Sequence, residues 1–154
     1  MSDTDGLARF VVAAKAATYV GGGEHATSSR PQSHDLRFVQ DEWEYLDSYF
    51  GGTDFLGQEV VHRRGEPVWA MNYYGRILAD ERLDAATAGA VIKHSLSELY
   101  LEGRFLGGFE TAVDGFRYVD TNSGDVSSFE GREWIEQDGV HLYELVYHGG
   151  LVRP

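Results

Sequence analysis

Two glutamates, Glu59 and Glu133, occupy the same place in two similar stretches of a 154-residue chain. Phe55-Leu56-Gly57-Gln58-Glu59 returns 74 residues later as Phe129-Glu130-Gly131-Arg132-Glu133. In an alternating strand each glutamate shares a face with an apolar residue two positions on, Val61 or Ile135, and a carboxylate on such a face needs a partner. Two arrangements supply one. Either a turn amide or a tyrosine hydroxyl bonds it, or the two carboxylates sit at the rim of an aromatic groove that receives a cationic or hydrogen-bond-donating ligand. A second set of reactive types is confined to one half, in Ser28-Ser29-Arg30-Pro31-Gln32-Ser33-His34-Asp35, inside a loop running from Gly21 to about Asp35. Arg30 suits a carboxylate or phosphate, and His34 suits proton movement. Adjacent residues of an extended chain point opposite ways, so His34-Asp35 is not a dyad by itself; an Asx or Ser turn leading into a strand is the plain alternative. The matching stretch, Arg104-Phe105-Leu106-Gly107-Gly108, keeps an arginine and no histidine. The residues expected to hold a ligand are Arg30, Ser33, His34, Asp35, Glu59, Trp69 and Tyr73.

Other chemistries lack their residues. With no cysteine there are no disulfides, thiolate metal sites or cysteine nucleophiles. Gly21-Gly22-Gly23 lacks the Gly-Lys-Ser/Thr of a phosphate loop, the six histidines form no HExxH motif, and no nucleophile elbow is present. No metal and no cofactor are expected. A formal charge of -12 argues against nucleic acid and against an anionic membrane surface. No apolar run is long enough to span a membrane, and the acidic, polar opening Met1-Ser2-Asp3-Thr4-Asp5 is unlike a signal peptide, so a cytoplasmic location is expected. Only Lys15 and Lys93 are lysines.

The elements that must position these residues come twice. At the offset of 74, Gly65, Tyr73 and Gly75 meet Gly139, Tyr147 and Gly149, while Trp69 meets Tyr143 and Met71 meets Leu145. At an offset of 73, Asp41, Tyr45, Asp47 and Gly51 meet Asp114, Tyr118, Asp120 and Gly124. A helical face precedes each stretch. Leu7, Phe10, Val11, Ala14 and Thr18 mark the first, stopped by Gly21-Gly22-Gly23. Ala88, Val91, Ile92, Ser95, Leu96 and Leu99 mark the second, with Asp84 as N-cap and Gly103 as stop. Four strand-like runs follow each helix: 36–40, 43–50, 59–63 and 67–74, then 109–113, 116–121, 133–137 and 140–148. Asp114-Gly115 suits a type I′ hairpin. The period-two sets Trp69/Tyr143, Met71/Leu145 and Tyr73/Tyr147 read as core, Gly57/Gly131, Gly65/Gly139 and Gly75/Gly149 as turn or bulge glycines, and Asp47/Asp120 as turn caps. The expected fold is α+β, a single domain over 1–154 built from pseudo-repeats 5–78 and 84–152. Each repeat is a helix plus four antiparallel strands, together giving a curved sheet, open or closed into a barrel, with two helices.

The runs Arg30 to Leu36, Tyr45 to Gly52, Phe55 to Glu59 and Pro67 to Gly75, with the ending Tyr147-His148-Gly149-Gly150, resemble an uncharacterised bacterial domain family. That family occurs alone or behind a helix-turn-helix of the XRE type in transcriptional regulators. The resemblance implies a stand-alone version of a domain placed where an effector sensor sits, and it brings no catalytic residues with it. The functional expectation is a small-molecule-binding, sensor-like domain with its pocket between the halves, closed by the 21–35 loop. One alternative is a cofactor-independent isomerase, cyclase or hydrolase with His34 or Glu59 as general base. Another is a protein-interaction module or homodimer.

Overall fold

A computed structural model describes residues 3–154; Met1 and Ser2, which begin the acidic opening, lie outside the described residues. Helix α1 (Asp3–Lys15) starts with Asp3 and Asp5 in its first turn, where acids complement the helix dipole, and continues as a π-helical turn, Ala16–Val20. Gly22 and Gly23, at φ 81° and 56°, end it in left-handed backbone. Helix α2 (Ala85–Leu101) is capped by Asp84, whose carboxylate accepts from the Thr87 amide at 2.7 Å, and it stops before Gly103, at φ 76°. Among the described residues, no helix is long and apolar enough to cross a membrane.

The strands are β1 (Glu24–Ala26), β2 (His34–Gln40), β3 (Trp43–Gly51), β4 (Phe55–Arg63), β5 (Glu66–Ile77), β6 (Phe109–Val113), β7 (Phe116–Asp125), β8 (Ser128–Gln137) and β9 (Val140–Leu151). They form one antiparallel α+β sheet in the order β1-β2-β3-β4-β5-β9-β8-β7-β6. β1 and β6 are free edges, so the sheet is open and the closed-barrel alternative does not hold. β1 also corrects the reading of 21–35 as an unstructured loop, since three of its residues pair with β2. The turns 64–65, 114–115 and 138–139 have positive φ at both residues, as two-residue I′ hairpins require. The chain leaves the centre after β5, forms α2, starts again at the far edge with β6, and returns to pair β9 with β5, where Tyr73 stands opposite Tyr147.

Both helices cover one face. Phe10 of α1 packs on Phe38 and Trp43 at ring distances of 5.7 and 5.6 Å, and α2 meets the other half, where Glu98 accepts from Thr111. Trp69, Tyr45, Tyr118 and Tyr143 are fully buried on this face. The other face carries exposed Leu56, Tyr74 and Val146.

Candidate functional site

Between the helices and the sheet, one register row carries His34, Tyr49, Gly57, Tyr73, Tyr147, Gly131 and Asn122. Tyr73 reaches sideways across β4, and its hydroxyl donates to Asp47 Oδ1 on β3 at 2.6 Å. Tyr147 does the same across β8 to Asp120, at 2.7 Å. The glycines beneath allow this: a Cβ on Gly57 would stand 2.4 Å from the Tyr73 hydroxyl, and one on Gly131 would stand 2.3 Å from that of Tyr147. Gly57 and Gly131 are therefore mid-strand glycines over which a tyrosine lies, a correction to the turn or bulge reading. Asp47 and Asp120 are likewise buried strand residues, not turn caps.

Each aspartate has a glutamate as its direct cross-strand neighbour, Asp47 with Glu59 and Asp120 with Glu133. Four carboxyl groups thus lie buried around a single buried lysine, Lys15. Its ammonium donates to both Glu59 oxygens, at 2.9 and 2.8 Å, and the Tyr45 hydroxyl donates to Glu59 as well. Glu133 has no lysine; it accepts from the hydroxyls of Tyr118 and Tyr143. Crowding of acids in a desolvated space favours their neutral forms. Burial first, then the charge of Glu59, pushes Asp47 up to about 7 against the pull of Tyr73, Lys15 and Tyr19. Burial pushes Asp120 up to about 6, and burial followed by the Asp120 charge pushes Glu133 up to about 7. One oxygen of the cluster, Asp47 Oδ2, is buried and has no hydrogen-bond partner among the described residues.

Two cavities open onto this cluster. The inner one, about 80 Å³, is lined by Lys15, Asp120, Glu133 and Tyr147, among others. The outer one, about 350 Å³, is lined by Asp47, Tyr49, Leu36 and the mouth residues Gly52, Gly89 and Lys93. Tyr19, Phe55, Tyr73 and Ile92 line both.

A model of a family described as a domain of unknown function, DUF5680, matches residues 47–152. The chain belongs to the DUF5680 family. No curated protein and no solved structure matches it. The matched span of this DUF5680 domain begins at Asp47, so Asp47, Glu59, Tyr73, Asp120 and Glu133 lie inside it, whereas Lys15, Tyr19 and the 28–35 segment lie outside.

The structure divides the residues expected to act together. Glu59, Trp69 and Tyr73 share the helix-covered face. Glu59 has both oxygens occupied. Trp69 is packed among Phe105 and Phe129, with its indole N–H on the Val126 carbonyl at 2.9 Å. His34 is exposed beside the Tyr49 ring at 5.1 Å, at the end of the central row. Arg30, Ser33 and Asp35 stand on the opposite face. There Asp35 accepts from the Ser33 and Ser48 hydroxyls at 2.7 and 2.9 Å, and Arg30 donates to the Ser48 hydroxyl at 3.1 Å while lying over Phe50. Against desolvation, hydrogen bonds from Ser29, Ser33 and Ser48 hold the Asp35 carboxyl below its usual range. They fasten the 28–33 segment to β2 and β3, away from the cavities. Sequence reasoning missed Lys15 and Tyr19. A signal was present: Leu7, Val11 and Lys15 recur at i, i+4, which puts one of only two lysines on the buried face.

Proposed function

We propose that this DUF5680 domain binds a small molecule in the cavities between its two helices and the centre of its sheet, acting as a sensor-like module without a cofactor. The observation that carries the reading is the outer cavity itself, about 350 Å³ with apolar and aromatic walls ending on the buried, half-partnered carboxylate of Asp47. Small-molecule sites combine such walls with a few placed polar groups. The ligand enters past Gly52, Gly89 and Lys93 rather than through the 21–35 segment, and Tyr73 is part of the wall. An internal duplication fits this reading. The tyrosine–aspartate crossings recur in both halves, as do the bulges after Val61 and Ile135, and Tyr73 meets Tyr147 where the halves join. The resemblance to domains that follow a helix-turn-helix in bacterial regulators supports an effector-binding role in the cytoplasm. The charge of -12 disfavours direct contact with DNA.

The test is ligand-observed NMR of the full chain against a panel of small amines, alcohols and carboxylates, repeated on Ile92→Trp, which places an indole at the wall common to both cavities. Saturable binding by the native chain that is lost in a folded Ile92→Trp variant is the expected result. Binding that survives the substitution, or no binding by any member of the panel, contradicts the proposal.

A further inference from the structure

On that binding reading, the charges around the cavity select the charge of the ligand. We propose that the outer cavity takes a small organic cation, an ammonium group on an apolar tail, with the ammonium against the Asp47 carboxylate. Asp47 is 1% exposed and lines the cavity; Oδ1 is engaged by Tyr73, which leaves Oδ2 as the buried acceptor without a partner among the described residues. The groups that face it are Lys15 and Tyr19 from α1 and its π-helical turn, Tyr45 on its own strand, Glu59 from β4 and Tyr73 from β5. Lys15 is the only cation of that set, and both of its contacts to carboxylate go to Glu59. An incoming anion would meet the excess acid, whereas an ammonium would supply the missing counter-charge to the Asp47 carboxylate.

The walls fit the same class. The rings of Tyr19, Tyr49, Phe55 and Tyr73 line the space, and aromatic walls suit a cation, while Leu36 and Ile92 offer contact to a tail. Among the described residues, no group of three His, Cys, Asp or Glu is placed to hold a metal ion. Lys93, which also lines the cavity, is exposed at its mouth.

Three probes with one ring and different charge test this by calorimetric titration of the full chain at pH 7.5: benzylammonium, benzyl alcohol and benzoate. Benzylammonium is expected to bind the tightest. Asp47→Asn is expected to weaken it about thirtyfold, the lower end of what losing one partner of a buried charge pair costs, with little effect on benzyl alcohol. Preference for benzoate or benzyl alcohol, abolished by Ile92→Trp, overturns the charge assignment and leaves the binding reading standing. Equal affinity of benzylammonium for Asp47→Asn overturns it as well. Absence of binding by all three probes and by the wider panel overturns both. The preference among the probes is read on the unsubstituted chain, so it decides the matter even where the variant does not fold.

Discussion

Replacing Asp47 by asparagine changes one buried charge and almost no volume, and its effect on stability depends on pH in a way the structure specifies. The folded-state carboxyl is raised to about 7, mainly by burial and next by Glu59. In the unfolded chain an aspartate titrates near ~3.9. Between these values the folded state holds a proton that the unfolded state has released. The native chain therefore loses stability as pH rises through that window, the reverse of a salt-bridged aspartate. Each pH unit is worth about 1.4 kcal/mol, so from pH 5 to pH 8 the native chain should lose about 3 kcal/mol through this group alone. The asparagine side chain of the variant does not titrate. Its amide nitrogen, placed where Oδ2 was, carries a fixed cost of roughly 1–3 kcal/mol if unpaired, but that cost is the same at every pH. Urea unfolding of both proteins at pH 5, 6, 7 and 8 isolates the difference: the stability of Asp47→Asn relative to native should rise by about 3 kcal/mol across the series, mostly below pH 7. Parallel pH profiles would refute the account of the cluster as crowded, desolvated acid.

Lys15→Met should destabilise the chain by about 3–5 kcal/mol, because the buried Glu59 carboxyl loses its cationic partner, and adding Glu59→Gln should restore part of the loss in urea unfolding. Gly57→Ala should cost about 1–3 kcal/mol, since the new methyl displaces Tyr73 from Asp47. Gly89→Ala, on α2 with nothing near its added Cβ, should raise stability by roughly 0.5–1 kcal/mol in the same assay. Arg30→Ala should leave binding in the cavities unchanged by titration, because its side chain bonds Ser48 on the opposite face.

The fold was largely legible because its strongest signals are local. Helical periodicity at 7–18 and 88–99, Asp114-Gly115 and the recurring glycines marked the helices, the hairpins and the alternation of faces. β1 was invisible, since Glu24–Ala26 is too short to carry a pattern and is a strand only because β2 offers an edge. Closure was equally unreadable, because alternation fixes faces and says nothing about whether β1 and β6 meet. The site was legible in part. Glu59 and Tyr73 were singled out by their recurrence and their shared face. Asp47 was misread because its burial comes from a tyrosine two strands away, and Gly57 because its reason is the space above it rather than its own dihedral angles. Arg30 and Asp35 drew notice as reactive types, yet each is consumed in fastening a segment to the sheet.

The central claim is that small molecules enter between the helices and the sheet. Methyl-selective NMR of the full chain titrated in turn with benzylammonium, benzyl alcohol and benzoate tests it most directly, because apolar side chains are present both at the cavities and on the open face. Saturable shifts confined to Leu36, Met71, Ile92, Leu96 and Leu145, with Val39 and Val146 unmoved, are the predicted outcome. Shifts centred on Val39 and Val146, or no saturable shift at any methyl, would contradict the account.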